Sequence, residues 1–198
     1  MTDEEKMSVC DLIIVGGGLA GLVAGVRAAE MGLRPVILEK GSGGDYPCNS
    51  RQSGGILHIG FHDPFRDADE LTQIIMRLTD GEAQPELAAA LAGNTSRLIS
   101  WLQEKGTRFM RFNQLEGYKW CMAPPRALRA GIDWKGRGPD LVLRKLVAEF
   151  ERLDGQFIQS ARAKRLILRK GTCIGVEGEH EGRPAVWHGR AVLIADGG

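Results

Sequence analysis

Only four cysteines occur in the 198 residues, Cys10, Cys48, Cys121 and Cys173, and no two of them form a C-x-x-C pair. A chain this long builds its core without covalent staples, so no disulfide scaffold is expected and a reducing, cytoplasmic setting is. Charge of one sign is also missing, since 26 Lys+Arg against 25 Asp+Glu leaves a formal net charge of +1. That balance argues against a nucleic-acid partner, which needs clustered basic excess. No run approaches the roughly 20 apolar residues that cross a bilayer. Met1 to Lys6 is acidic and polar, with no apolar h-region, so neither membrane insertion nor a secretory signal is expected. With 43% hydrophobic residues and interspersed charge, the chain is not disordered.

What is abundant is glycine, 27 of 198 residues, about twice the usual ~7%. The size suits one domain. Residues 9–15 form a short β-branched apolar run, the pattern of a strand buried on both faces of a parallel sheet. A glycine turn follows, then a helix from Leu19 to Met31, with Gly32 in the C′ position. Pro35 to Glu39 reads as a second buried strand, completing a βαβ unit. Residues 41–60 read as loop. Helices are expected over 67–79 and 85–105, the second with a stripe of Leu87, Leu91, Leu98 and Leu102 and an end at Gly106. After an unassigned excursion, 107–138, a helix follows Pro139, with Leu143, Leu146, Val147 and Phe150 on one face. Short β-like runs then cover 156–159, 163–169, 173–179, 184–187 and 190–194, jointed at Gly171 and Gly182 like a meander.

Gly16-Gly17-Gly18-Leu19-Ala20-Gly21 fits G-x-G-x-x-G in its proper context, between a buried strand and a helix. Gly16 permits the tight turn, Gly18 admits a pyrophosphate close to the backbone, and Gly21 lets helix and strand approach. The helix N-terminus adds N–H donors and positive dipole. Glu39 stands 18 residues beyond Gly21, near the roughly 20 expected of the carboxylate that holds a ribose hydroxyl pair. A carboxylate there, where NADP needs Arg, disfavours a 2′-phosphate. The expected class is α/β, a Rossmann-like FAD/NAD(P)-binding domain with a central parallel sheet and an added β-meander. NAD and FAD both use this fingerprint, so an NAD-linked dehydrogenase and a non-catalytic nucleotide module stand as alternatives.

Asp11 to Leu22, with Leu38-Glu39-Lys40, resembles the extended FAD fingerprint of two-dinucleotide-binding flavoproteins. Asn49-Ser50-Arg51-Gln52-Ser53-Gly54-Gly55-Ile56 resembles the Ser/Gly-rich flavin loop of the fumarate reductase/succinate dehydrogenase flavoprotein family. The closing Ala191-Val192-Leu193-Ile194-Ala195-Asp196-Gly197-Gly198 is similar to that family's strand and turn. The resemblance implies a cofactor site made of Gly16, Gly18, Leu19, Ala20, Gly21, Glu39, Lys40, Asn49, Ser50, Ser53, Gly54, Gly55, Ala163, Asp196 and Gly197. It implies FAD chemistry across a carbon–carbon bond of a small organic acid or an enone. Two departures stand out. Asp196 replaces the usual Thr or Ser, and Cys48 occupies the position of the His that anchors FAD covalently in membrane-type members. Non-covalent FAD is therefore expected, with Cys48 an inert loop thiol.

Members of that family are much longer. Residues 1–198 accordingly read as the N-terminal portion of an FAD-binding domain, without the capping domain and the rest of the FAD domain. Such a piece is expected to be inactive by itself and prone to self-association, with a small-molecule substrate bound by the whole enzyme. No catalytic set emerges. His58, His62 and Asp63 lie on a stretch too glycine-rich to serve as a metal-binding helix face, so no metal is expected. His58 reads as structural, and Arg51 as either a phosphate partner or a solvated loop residue. Trp120 and Trp134 read as packing residues, and Arg126, Arg129, Lys135 and Arg137 as a solvated basic run.

Overall fold

The computed structural model describes residues 10–111, 116–126 and 133–197. Its elements, in chain order, are β1 (Leu12–Val15), α1 (Leu19–Glu30), β2 (Pro35–Leu38), α2 (Asn49–Gln52), α3 (Ala68–Leu78), α4 (Pro85–Glu104) and β3 (Phe109–Met110). A 3-10 turn (Glu116–Tyr118), β4 (Cys121–Met122), α5 (Gly138–Arg152), β5 (Gln156–Ile158), β6 (Ala161–Arg169), β7 (Thr172–His180), β8 (Arg183–His188) and β9 (Val192–Ile194) follow among the described residues. Two compact units result: residues 1–52 with 143–198, and residues 53–142. The second is inserted in the crossover that leads from β2 to β5.

In the first unit a parallel sheet runs in the order β5-β2-β1-β9. Ile13, Ile14 and Ile37 are wholly buried, as continuous apolar strands of a two-sided parallel sheet must be. The helix α1 keeps a small face toward the sheet; a Cβ on Gly25 would stand 2.7 Å from Ile37 Cδ1. It ends as the sequence predicts: the N–H of Gly32 donates to Ala29 C=O and that of Leu33 to Ala28 C=O, the paired bonds of a Schellman motif. Leu143, Leu146 and Phe150 of α5 are buried, matching the expected face, and Val147 is half-buried.

The meander β6-β7-β8 is antiparallel. Its turns are two residues long, Lys170-Gly171 (φ 49° and 79°) and Glu181-Gly182 (φ 51° and 77°). Positive φ at both positions gives the turn whose twist suits a hairpin. Ala161 and Val176 of the meander share a core with Cys10, Ile13, Val36 and Leu38.

In the second unit, α3 opens where expected, with the Asp67 carboxylate accepting from the N–H groups of Asp69 and Glu70. The expected leucine stripe of α4 is corrected by the structure except at Leu102, which is buried as expected. Leu87 and Leu91 are 64% and 56% exposed, Leu98 is half-buried, and the buried face is Ala88, Ala92, Ile99 and Leu102. The face is rotated by one position because α3 packs against α4, and alanines admit a neighbouring helix more closely than leucines do. Ala92 accordingly joins Ile59, Leu71 and Ile74 in one cluster.

The 107–138 excursion contains the short hairpin β3-β4. Trp120 is 5% exposed, stacked on Phe65 at 4.7 Å, with its Nε1–H donated to Asp63. Packing is thus its role, as expected. Trp134 is half-buried. Of the basic run, Arg129 lies outside the described residues, and Arg137 pairs with Asp133.

Candidate functional site

The carboxyl ends of β1 and β9 and the N-terminus of α1 frame a cleft of about 500 Å³. Gly16 leaves β1 at φ +104°, and a Cβ there would lie 2.4 Å from the Ala195 carbonyl oxygen. A side chain on Gly21 would meet the Gly16 carbonyl oxygen at 2.0 Å. These positions exclude every other residue, for the turn and for the helix–strand approach respectively. Gly18 is the N-cap of α1 and provides no side-chain cap, and the first helical turn carries no acidic residue. A helix N-terminus whose own N-cap is glycine and which faces a cleft is the arrangement that accepts phosphate.

Glu39, 4% exposed at the end of β2, accepts at Oε2 from Gly17 N–H (2.8 Å) and at Oε1 from Gly41 N–H (2.7 Å). A carboxylate offers about four acceptor positions, so Glu39 can brace the glycine turn and still receive a pair of hydroxyls. Ser50 Oγ accepts from Leu19 N–H at 3.1 Å. Asn49, Ser50, Arg51 and Gln52, expected as loop, form the short helix α2.

Ten of the residues named from the sequence line this cleft: Gly16, Gly18, Leu19, Ala20, Glu39, Lys40, Asn49, Ser50, Asp196 and Gly197. Gly21 stands behind it, against the turn. Ala163 is partly buried beside the meander's core cluster and does not line the cleft. Ser53, Gly54 and Gly55 belong to the second unit. There Ser53 Oγ accepts from Gly55 N–H at 3.2 Å, and a Cβ on Gly55 would meet Pro139 Cγ at 2.7 Å.

Arg51 is neither solvated nor in the cleft lining. It is 1% exposed, with its guanidinium 4.2 Å from the Tyr46 ring centroid. Tyr46 is the supporting residue that sequence reasoning missed; its hydroxyl donates to the Gly17 carbonyl at 2.7 Å. No motif marks it, and its role depends on a loop returning to the glycine turn.

Cys48 lines the cleft, and burial pushes its thiol above the usual range, only partly offset by backbone N–H groups and Arg51. A protonated thiol is a poor nucleophile. All four cysteines are free. His58 Nδ1 accepts from Phe61 N–H, and the two rings stack at 4.6 Å, so His58 serves a turn. Among the described residues no group of three or more His, Cys, Asp or Glu could hold a metal ion. Nor is any helix among them long and apolar enough to cross a membrane.

The glycine turn at a helix N-terminus and the buried Glu39 at the end of the next parallel strand are the arrangement of a dinucleotide-binding α/β domain. Residues 11–198 match the family described as FAD binding domain. Among curated relatives, 3-oxo-5-alpha-steroid 4-dehydrogenase of Comamonas testosteroni is 27% identical over 124 residues, 59% of this chain and 22% of its own length. Protein FixC of Shigella flexneri is 26% identical over 190 residues, 96% of this chain and 37% of its own. Two solved structures share the fold. One is 3-ketosteroid-delta4-(5alpha)-dehydrogenase of Rhodococcus jostii RHA1 (TM-score 0.72, 18% identity, 98% of this chain and 47% of that one). The other is a flavocytochrome c3 fumarate reductase (TM-score 0.74, 17% identity, 100% and 37%). The chain belongs to the FAD binding domain family, and its cofactor is FAD. That decides between the two dinucleotides left open by the fingerprint. The chain spans 22% to 37% of the length of these curated relatives.

Proposed function

We propose that this chain holds the adenosine–pyrophosphate half of FAD in an oxidoreductase that acts across a carbon–carbon bond of a small organic acid or an enone. The observation that carries the cofactor half is the convergence of Gly16, Gly18 and Glu39 on one cleft at the α1 N-terminus. Gly16 and Gly18 would lie against the pyrophosphate, and Glu39 would receive the ribose hydroxyls. When bound, FAD supplies the hydride chemistry. The substrate class is supported by the steroid dehydrogenase relative and the fumarate reductase fold neighbour.

The raised thiol pKa of Cys48 supports non-covalent attachment. Acid precipitation of the FAD-loaded protein should then release all the flavin into the supernatant; flavin retained in the pellet refutes it. The described residues that line the cleft are assigned to the adenosine–pyrophosphate half of FAD, remote from the flavin ring where substrate is protonated. The 198-residue chain should therefore show no turnover with fumarate-like acids or steroid enones in the presence of reduced flavin. Substrate-dependent flavin oxidation by this chain would overturn that reading.

Glu39→Ala tests the adenosine assignment. Removing a charged acceptor should weaken FAD binding by about 1–3 kcal/mol, measured by calorimetric titration. Unchanged affinity rejects Glu39 as the ribose partner.

A further inference from the structure

We propose that Tyr46 is a positioning residue for the dinucleotide loop: its hydroxyl sets the plane of the Gly17–Gly18 peptide and thereby aims the Gly18 N–H. The proposal rests on reading the cleft as the FAD site. A peptide unit is planar, with C=O and N–H pointing in opposite directions, so a bond at one end orients the other. Three successive peptide units of this loop are each tied by a side chain. Glu39 Oε2 accepts from Gly17 N–H at 2.8 Å, which sets the Gly16–Gly17 unit. The Tyr46 hydroxyl donates to the Gly17 carbonyl at 2.7 Å, which sets the next. Ser50 Oγ accepts from Leu19 N–H at 3.1 Å, which sets the third.

Three consecutive glycines have the widest backbone freedom available to a chain. A loop of that kind has to be ordered from outside before its N–H groups can serve as a prearranged anion site. Tyr46 is suited to the task. It is 2% exposed, its ring lies 5.6 Å from that of Phe157, and the Arg51 guanidinium lies 4.2 Å from its centroid. Arg51 Nη1 also donates to the Tyr46 carbonyl at 2.6 Å. The Tyr46 backbone and ring are both held, so its hydroxyl has a defined position relative to Gly17.

Tyr46→Phe removes the hydroxyl and keeps the ring, whereas Tyr46→Leu removes both. FAD and ADP affinities of the full chain would be measured by calorimetry, beside the melting temperature without ligand. Tyr46→Phe should weaken FAD and ADP by the same factor, about three- to tenfold, as expected for one hydrogen bond. Its melting temperature should stay closer to the parent's than that of Tyr46→Leu, which loses the ring packing as well. Unchanged FAD and ADP binding in Tyr46→Phe would show that only ring packing matters and would overturn the proposal. Weakened FAD with unchanged ADP would overturn it too, by placing the effect away from the pyrophosphate loop. A parent chain that binds neither ligand would instead reject the reading of the cleft on which the proposal stands.

Discussion

Asp196 is one of the two residues at which this sequence departs from the flavoprotein pattern it resembles. The structure leaves it exposed in the cleft lining, directly after the Ala195 carbonyl that closes on Gly16. A carboxylate beside a pyrophosphate site repels the ligand, and water and salt reduce the effect at an exposed position. Asp196→Ser should tighten FAD about two- to fivefold at low ionic strength, with the gain shrinking as salt is raised. A titration series in salt checks this; an unchanged Kd at low salt would show that Asp196 exerts no field on the pyrophosphate. Gly21 gives the opposite kind of residue-level result. Its missing Cβ would lie 2.0 Å from the Gly16 carbonyl oxygen, so Gly21→Ala must push α1 off β1. Overpacking of this sort costs about 1–3 kcal/mol, and FAD binding should fall with stability because the turn itself is displaced.

Helices and strands were legible to the extent that their residues made the decision alone. The α1 end at Gly32, the start of α3 at Asp67 and the meander joints at Gly171 and Gly182 are local chemistry, and each is placed by the sequence. The cap is testable: Asp67 accepts from two N–H groups, so Asp67→Ala should cost about 0.5–2 kcal/mol in chemical denaturation. Gly93 offers the converse. It lies inside α4, exposed, with nothing within 4 Å of an added Cβ. Gly93→Ala should stabilise by about 0.5–1 kcal/mol, and a loss would imply that something covers this face. The face that α4 buries was not legible. Two stripes compete on that helix, one of leucines and one led by alanines, and hydrophobicity favours the leucines. The approach of α3 favours the alanines, and that approach is a property of the pair of helices.

Across the molecule, pH acts on the second unit through Asp63. Burial by itself would raise its pKa. Lys119 Nζ, the Phe65 N–H and the Trp120 Nε1–H outweigh burial and hold the carboxyl below its usual 3.8. A carboxylate depressed in the folded state stabilises at pH above its ordinary value, and the contribution is lost as pH falls through the folded pKa. Acid unfolding of residues around Trp120, followed by tryptophan fluorescence, should therefore begin below about pH 4. Asp63→Asn should lower stability at neutral pH and flatten that acid dependence; an unchanged acid limb would remove Asp63 from the account. Sequence alone determined the βαβ unit, the glycine fingerprint with Glu39 at its proper distance, and the approximate positions of the parallel strands. Those features depend on steric and hydrogen-bonding demands within a few residues, or on a spacing that one crossover imposes. The tertiary structure decided the rest: the strand order β5-β2-β1-β9, that Arg51 is buried over Tyr46, that Tyr46 reaches back to the Gly17 carbonyl, that residues 53–142 form their own unit, and which side of α4 is covered. Each of these depends on where a chain segment returns in space, which no local pattern encodes.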